Sequence, residues 1–347
     1  MRQFSRPTPL PTLHARALQL LAALCLPLLA LFCHSAQAGT DTLRIGVLKF
    51  GTVQWQLDSI TAHQLDQRNH ISLQIVPLAS ADAATVALQG GAVDLIVSDW
   101  IWVTRQRAEG TPYTFVPFSN AVGSLMVPAD RALNSLADLR GKTLGVAGGA
   151  YDKSWLLLRA YALKQLGSDL TQLAKPVYAA APLLNELALS GQVDATLNVW
   201  HYDARLQAKG MRALLKPPDI LAGLGIHTPI PLLGWVFNEN WARAHPGTME
   251  NFLAASAQAQ SLLAQSDAEW ERLRPLLHAE DQATFVALRS GYRAGIIHCT
   301  DSDYQQGVAQ TLQLLAQTGG EKLVGKSSTL AEGTFWPGYH FPTCPKK

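Results

Sequence analysis

Aromatic and acidic side chains occupy matching places in two stretches of this sequence that lie one hundred residues apart. The repeated positions are Gly91, Val93, Asp94, Trp100, Arg105 and Gly110 in the first stretch and Gly191, Val193, Asp194, Trp200, Arg205 and Gly210 in the second. Two further carboxylates, Asp99 and Asp152, stand near these tryptophans in the predicted loops. Tryptophan faces and carboxylates together suit a flat or cationic group. The spacing therefore predicts a binding site with aromatic and acidic walls.

Each copy of the repeat follows a helical stretch and leads into a short apolar run that ends at the Trp. This order predicts a helix, a tight turn, a strand and a strand-end loop in both copies. Similarity at a fixed offset is usually architectural, so the chain is predicted to contain two similar α/β units. Ligands of open α/β sheets lie beyond the carboxyl ends of the strands, where both tryptophans fall. We expect a cleft between the units.

The apolar periodicity places the strands and helices of both units. The first unit is predicted to have βαβαβ order, hence a parallel sheet covered by helices, with a single helix from Trp55 to about Gln67. Predicted strands are Thr42–Leu48, Ile71–Pro77, Val93–Val97 and Tyr113–Phe118, then Thr143–Val146, Val177–Ala179 and Val193–Val199, and Leu233–Phe237 returning to the first unit. From residue 246 onward the chain is predicted to be mostly helical.

Two crossings between the units, near residues 119–128 and 232–240, predict an inserted second lobe. Lobe 1 is predicted to comprise residues 39–121 and 236–347, and lobe 2 residues 122–235. A connection of two strands is a hinge.

The first 38 residues have the pattern of a signal peptide. Three arginines precede the apolar run 17–32, and Ala36-Gln37-Ala38 forms a small-residue cleavage site. No later run is long enough for a membrane span. We therefore expect cleavage after Ala38 and export to the periplasm without stable membrane insertion.

Charge gives no indication of a nucleic-acid or membrane partner. The whole chain has 28 Lys and Arg against 26 Asp and Glu, and loss of the three signal arginines leaves a formal charge of −1. Without a basic stripe, neither nucleic acid nor an anionic membrane is expected to bind.

Two of the four cysteines, Cys299 and Cys344, remain after the signal is removed. An even pair in an exported protein predicts a disulfide, with two free buried thiols as the alternative.

The sequence resembles the periplasmic substrate-binding proteins of ABC importers, in the nitrate, sulfonate and taurine group that includes binders of thiamine-precursor pyrimidines. The residues that carry the resemblance are the run from Ser135 to Val146, the turn Gly191–Ala195 with Trp200, and the segment Trp235–Ala244 with Pro246. The resemblance implies a two-lobe, type II "Venus flytrap" α/β fold with a central sheet in each lobe. It also implies a monomer that closes around one solute and docks on a membrane permease with its ATPase.

The predicted ligand-binding residues lie on the strand-end loops and the hinge. They are Lys49, Phe50, Gly51, Thr52, Trp55, Ser98, Asp99, Trp100, Asn120, Gly149, Ala150, Tyr151, Asp152, Asn198, Trp200 and Trp235. The aspartates favour an amine, a zwitterion or a heterocycle over a bare anion, because a carboxylate repels a sulfonate. Lys49 and the Gly148-Gly149 loop favour an anion such as a sulfonate, taurine or nitrate. Alternatively, Asp152 only caps its helix and the tryptophans belong to the core.

Other chemistry is weakly indicated. Residues 320–327 match the P-loop pattern, but no buried strand is predicted before them. The histidines show no zinc-ligand spacing, and no catalytic triad is indicated. No enzyme activity, metal or cofactor is therefore expected. An enzyme, or a protein that handles a cofactor or metal chelate on the same scaffold, is the alternative.

Overall fold

The computed structural model describes residues 41–300 and 304–344. The predicted signal peptide lies outside these residues. Ten strands form two sheets: β1 Asp41–Leu48, β2 Ile71–Leu78, β3 Leu95–Asp99, β4 Tyr113–Ser119, β5 Leu125–Pro128, β6 Thr143–Ala147, β7 Lys175–Ala179, β8 Ala195–Leu197, β9 Met211–Leu215 and β10 Leu233–Asn238. Their orders are β2-β1-β3-β10-β4 and β7-β6-β8-β5-β9. The predicted α/β fold with one central sheet in each half is confirmed.

Helices cover both sheets in the described part of the chain. They are α1 Val53–Ala62, α2 Leu65–Arg68, α3 Ala81–Gln89, α4 Trp100–Ala108, α5 Lys153–Leu166, α6 Leu170–Leu173, α7 Ala181–Leu189, α8 Trp200–Ala208, α9 Pro217–Leu224, α10 Glu239–Ala244, α11 Thr248–Gln265, α12 Asp267–Leu277, α13 Gln282–Ala294, α14 Tyr304–Gly319 and α15 Glu321–Val324. Among these residues, no helix is both long and apolar enough to cross a bilayer.

Two predictions about the first unit are wrong in detail, one about its sheet and one about a helix. The sheet is mixed, because β10 lies between β3 and β4 and runs antiparallel to both. The helix predicted from Trp55 to Gln67 is broken, since Gln64 adopts a left-handed conformation at φ 52° between α1 and α2. A left-handed residue cannot continue a right-handed helix.

The sequence repeat is a structural repeat. The backbone N–H of Arg44 on β1 donates to the Asp94 carboxylate at 2.9 Å, and the N–H of Thr143 on β6 donates to Asp194 at the same distance. Gly91 and Gly191, three residues before each aspartate, have φ of 69° and 73°, a region that glycine enters without steric cost. The equivalent turns therefore fix the start of β3 and of β8 in the same way.

The carboxyl-terminal residues contact elements of both sheets. Helix α14 packs against α5, beside the second sheet, while Phe335 pairs with Phe115 on β4, the edge strand of the first sheet. The disulfide Cys299–Cys344 is confirmed. It holds the tail next to residue 300, whose N–H donates to the Pro342 carbonyl. Hydrogen bonds of Phe115 with Thr334 and Trp336 cover the otherwise open edge of β4.

Candidate functional site

A cavity of about 450 Å³ is lined by the loop after β1 and the start of α1, by α7 and α8 beside the second sheet, and by the α12–α13 junction. We call it the cleft cavity. Its polar and aromatic lining residues are Lys49, Phe50, Gln54, Trp55, Asn185, Glu186, His201, Tyr202, Arg205, Lys209, His278 and Glu280. Volumes of this order are typical of small-molecule sites.

The loop that carries Lys49 is held by local hydrogen bonds. The N–H of Gly51 donates to the Leu48 carbonyl, and the Gln54 amide donates to the carbonyls of Leu48 and Lys49 at 2.8 and 2.9 Å. The Lys49 side chain is exposed, and its Nζ lies 5.8 Å from the Phe50 ring centre. Among the described residues it has no carboxylate partner, so a ligand would meet an unpaired cation.

The other two cations of the cleft cavity are held by contacts within the protein. The Arg205 guanidinium donates to the carbonyls of Leu277 and His278, at the carboxyl end of α12. Lys209 lies 2.8 Å from Asp281 and 3.5 Å from Glu280. These contacts place α8 against the α12–α13 junction; they neutralise Lys209, whereas Arg205 forms no ion pair among the described residues.

Glu186 is the carboxylate of the cleft cavity that has no ion pair in the described part of the chain. It lies on the exposed face of α7, across the cavity from the β1 loop. Its neighbour Asn185 is fixed, because the side-chain amide donates to the Tyr202 carbonyl. One cation from one half and one carboxylate from the other therefore face the same space.

His201 contributes a neutral ring to this wall. Burial, and then the nearby charge of Arg205, lower the pKa of His201 from 6.5 to about 4. Its ring stacks at an angle on Tyr202, with centroids 4.7 Å apart. At neutral pH the pair offers aromatic surface and hydrogen bonds without charge.

An aromatic cluster surrounds Trp55, which lines the cleft cavity. The ring of Trp55 lies 5.9 Å from Trp200 and 5.9 Å from Trp270, in edge contacts, and 6.0 Å from Tyr292. Gly291 permits this packing, because a Cβ there would lie 2.9 Å from the Trp200 ring. Trp55 and Trp200, predicted on separate loops, are thus in direct contact.

The two predicted aspartates are engaged within the protein. Asp99 caps α4 by accepting from the N–H of Trp102 at 2.9 Å, and its other oxygen lies 3.2 Å from Lys153 Nζ. Asp152 caps α5 by accepting from the N–H of Trp155, and burial raises the pKa of the Asp152 carboxyl. Neither lines the cleft cavity. The capping alternative for Asp152 therefore describes its contacts here.

Several other predicted site residues lie apart from the cleft cavity. Trp100 and Trp235 are fully enclosed, at 0% and 1% exposure, and Ser98 pairs with Gly234 inside the first sheet. The Asn198 amide donates to the Ala181 carbonyl and to Asn185. Asn120 borders a separate cavity.

The remaining predicted residues lie on two loops. Tyr151 is half exposed on the loop after β6, with Lys322 Nζ 5.3 Å from its ring centre. Gly149 and Ala150 belong to the same loop, where Gly149 has φ 145°. Thr52 directly precedes α1, next to Gly51, which lines the cleft cavity.

The sequence predictions did not include Glu186, His201 or Lys209. His201 directly follows the repeated Trp200, and Arg205 belongs to the repeat itself, so the repeat was a usable signal for α8. Glu186 is one of many exposed helical carboxylates, and no sequence pattern distinguishes it.

Solved structures share this fold. The alkanesulfonate-binding protein SsuA from Xanthomonas axonopodis pv. citri bound to MOPS is 20% identical, with a TM-score of 0.64 over 85% of this chain and 98% of that chain. The periplasmic aliphatic sulphonate binding protein SsuA from Escherichia coli is 19% identical, with a TM-score of 0.68 over 88% and 95%. The desulfurization enzyme DSZB is 17% identical, with a TM-score of 0.53 over 85% and 97%. At these identities the likeness shows the fold alone.

Sequence comparison gives the family. A Haemophilus influenzae protein named for thiamine biosynthesis is 28% identical over 136 residues, which are 39% of this chain and 42% of the relative. The match thus spans about two fifths of the length of that curated relative. The family model described as NMT1/THI5 like matches residues 67–269, more than half of the chain. The chain therefore belongs to the NMT1/THI5-like family.

Proposed function

We propose that this protein is the periplasmic solute-binding component of an ABC importer and that its ligand is a small zwitterion with an apolar or aromatic body. The protein would hold the ligand in the cleft cavity and deliver it to a membrane permease with its ATPase. The observation that carries the proposal is the pairing, across one cavity, of Lys49 and Glu186, two charges of opposite sign without ion-pair partners among the described residues.

The charges favour a zwitterion over a singly charged ligand. An anionic group that pairs with Lys49 leaves Glu186 uncompensated in a partly enclosed space, and an ammonium group at Glu186 does the same to Lys49. Leaving a charge unpaired when water is displaced costs free energy. A molecule with both groups satisfies both residues.

The aromatic wall favours an apolar body on the ligand. Trp55, Tyr202 and His201 border the same cavity, and aromatic surface binds flat or apolar groups through area burial and edge contacts. A heterocycle with an acidic and a basic group fits this description equally well. A simple amine fits poorly, because Asp99 and Asp152, the carboxylates that favoured it, are used as helix caps.

Export and transport rest on two supports. The sequence begins with a signal-peptide pattern, and the fold is similar to that of periplasmic sulfonate-binding proteins. A protein of this kind binds its solute without changing it.

The charge claim is tested with ligands that share one skeleton. Phenylalanine, phenethylamine and 3-phenylpropanoate are a zwitterion, a cation and an anion, and taurine, ethylamine and ethanesulfonate repeat the comparison without the ring. Calorimetry should show the zwitterion binding most tightly in at least one series. The proposal would be contradicted if the zwitterion were not the tightest ligand in either series, or if none of the six compounds bound.

Charge-removing variants locate the site. Lys49→Met and Glu186→Gln should each weaken phenylalanine binding about tenfold, the size of a lost hydrogen bond to a charged group. Lys142→Met and Glu250→Gln remove exposed charges away from the cavity and should leave the affinity unchanged. Equal losses in the control variants would indicate a general effect of net charge.

A second candidate is a role in making or handling a cofactor. It is favoured by the relative named for thiamine biosynthesis and by the fold shared with a desulfurization enzyme. In the described residues there is no group of three His, Cys, Asp or Glu side chains that could hold a metal ion. Mass spectrometry of a ligand recovered after prolonged incubation separates the candidates: an importer component returns it unchanged, and an enzyme returns a product.

A further inference from the structure

Arg205 is the cation of the cleft cavity that neither an ion pair nor a simple zwitterion neutralises. A small zwitterion supplies one anionic group for Lys49 and one ammonium group for Glu186. Lys209 lies 2.8 Å from Asp281 and is compensated within the protein. Among the described residues, no carboxylate pairs with Arg205, which donates to backbone carbonyls instead. One positive charge of the lining therefore remains without a counter-charge.

Helix α8 places the Arg205 guanidinium at the wall of the cleft cavity. Its Nη1 and Nη2 atoms donate to the carbonyls of His278 and Leu277 at 3.1 and 2.9 Å. A guanidinium has five N–H donors, so these two contacts leave three. Arg205 is half-buried, and its Nε atom, which has no partner in the described part of the chain, is not enclosed. The group is thus anchored by two donors and keeps others for a ligand.

The charge of Arg205 acts inside the cavity. His201 lies one turn before Arg205 on α8, and both residues line the cavity. Burial lowers the pKa of His201, and the charge of Arg205 lowers it further. The carbonyls at the carboxyl end of α12 carry only partial negative charge. They therefore hold the guanidinium in place without cancelling its charge.

We propose that the ligand of the cleft cavity carries a second anionic group, which pairs with Arg205. The ligand class is then an amino acid, or a related amine, that has two acidic groups and one basic group. This inference rests on the proposed function and extends it to a third charge. A carboxylate suits the position, because it accepts two parallel N–H bonds from a guanidinium. Arg205 is thereby the residue that discriminates an acid from its neutral amide.

The test compares two acids with their amides, which have nearly the same size and lack only the second negative charge. The pairs are glutamate with glutamine and 4-carboxyphenylalanine with 4-carbamoylphenylalanine, all at neutral pH. Calorimetry on the full mature protein should show the acid binding about tenfold more tightly in at least one pair, the size of a hydrogen bond to a charged group. Acids that bind no more tightly than their amides in both pairs would overturn the inference.

Variants assign the preference to Arg205. Arg205→Gln removes the charge and keeps an amide donor for one carbonyl of α12, so the preference for the acid should disappear while the affinity for the amide changes little. Arg105→Gln makes the same change at the equivalent position of the first repeat, which does not line the cleft cavity, and should keep the preference. A preference retained in Arg205→Gln would overturn the assignment.

A second variant covers the case in which Arg205→Gln does not fold, as judged by circular dichroism. Arg205→Lys keeps the charge but lacks the planar fork that binds a carboxylate through two donors. The preference for the acid should be smaller than in the parent protein. A preference as large as that of the parent would overturn the role of Arg205.

The same titrations distinguish a failure of this inference from a failure of the proposed function. Binding of the amides with no gain for the acids would overturn the second anionic group and leave the zwitterion proposal standing. The absence of binding by all four compounds, while phenylalanine or taurine binds, would do the same. If phenylalanine and taurine also fail to bind, both the inference and the proposed ligand class are contradicted.

Discussion

Single side chains in this protein show how a residue suited to ligand binding is used for structure instead. Asp99 is a carboxylate at the carboxyl end of β3, the place where ligands of α/β sheets are bound. Its two oxygens are directed to the N–H of Trp102 and to Lys153. Because Lys153 begins α5 of the second half, this ion pair joins the two halves. Asp99 is therefore a structural contact between them.

Two variants of Asp99 separate capping from ion pairing. Asp99→Asn keeps a good helix cap but loses the charge opposite Lys153, and we expect about 1 kcal/mol less unfolding free energy because the pair is only partly buried. Asp99→Ala loses both contacts and should cost about 2 kcal/mol. Urea unfolding measures both. Equal costs for the two variants would show that the cap contributes nothing, and an Asp99→Asn variant as stable as the parent would show the same of the ion pair.

Trp100 and Trp200 occupy equivalent repeat positions but have different surroundings. Trp100 is fully buried in the core, so Trp100→Ala should lower the unfolding free energy by about 3–5 kcal/mol. Trp200 is only partly buried and touches Trp55 at the cleft cavity. Trp200→Ala should cost less stability and weaken phenylalanine binding, because Trp200 supports the ring of Trp55, which lines the cleft cavity. Calorimetry of unfolding and of binding on both variants tests this, and a larger stability loss for Trp200→Ala would contradict it.

Asp203 gives a pH-dependent contribution to stability. It is 5% exposed on α8, where one oxygen accepts from the Ser124 N–H and the other has no partner among the described residues. Burial raises the pKa of Asp203 well above 3.8. Above pH 4 the unfolded chain loses this proton while the folded protein keeps it, so stability falls as the pH rises.

The matching variant is Asp203→Asn, which keeps an acceptor for Ser124 and cannot ionise. Its unfolding free energy, relative to the parent protein, should rise as the pH increases above 4, until the folded Asp203 carboxyl of the parent ionises. Urea unfolding at several pH values measures this difference. Neighbours such as His201 titrate in both proteins, so their contributions to stability cancel in the comparison. A difference that is constant over the range would show that Asp203 titrates normally.

At the scale of elements, the repeated turns were the most predictable feature. The Gly-x-Val-Asp pattern places a left-handed glycine and a carboxylate at fixed distances before a strand, and Asp94 and Asp194 make the same backbone contact in both halves. Strand positions followed from apolar runs. By contrast, the antiparallel insertion of β10 between β3 and β4 depends on contacts distant in sequence, which local periodicity does not contain.

The site was less predictable than the fold for a physical reason. The local sequence around a Trp that follows a strand and begins a helix does not show whether its ring packs in the core. Trp100 is fully buried there, whereas Trp200 is only partly buried and packs against Trp55. The β1 loop was predictable, because Lys49 and Phe50 are exposed wherever that strand ends. Glu186 was not, since its role depends on what lies opposite α7.

The disulfide ties the carboxyl-terminal tail to Cys299, and residues 334–336 of this tail cover the edge of β4. It joins residues 45 apart in sequence, and the chain-entropy model gives about 4 kcal/mol for a loop of this length. Thiol titration of the unfolded, unreduced mature protein should find no free thiol. The Cys299→Ala/Cys344→Ala double variant should unfold at lower urea concentration than the parent. Two reactive thiols in the parent would contradict the pairing.

At the scale of the whole molecule, the lobe boundaries, the two-strand hinge and closure on a ligand remain predictions. The two halves touch through Asp99 with Lys153, through Trp55 with Trp200, and through α8 with the α12–α13 junction. The carboxyl-terminal residues add a further connection, because α14 packs on α5 while Phe335 pairs with Phe115. This connection should limit the amplitude of any opening at the two crossings.

We expect phenylalanine to reduce the radius of gyration of the mature protein, because a zwitterion that pairs with Lys49 and Glu186 draws the β1 loop toward α7. A ligand shifts a conformational equilibrium only by its differential affinity for the two states, so the change should saturate with the same dissociation constant as calorimetric binding. Small-angle scattering across a phenylalanine titration measures it, and Lys49→Met is the control, in which the same change should need about tenfold more phenylalanine. If the radius of gyration stays constant while calorimetry shows saturation, the cleft cavity is rigid, and the connection through α14 holds the two halves in one arrangement with and without ligand.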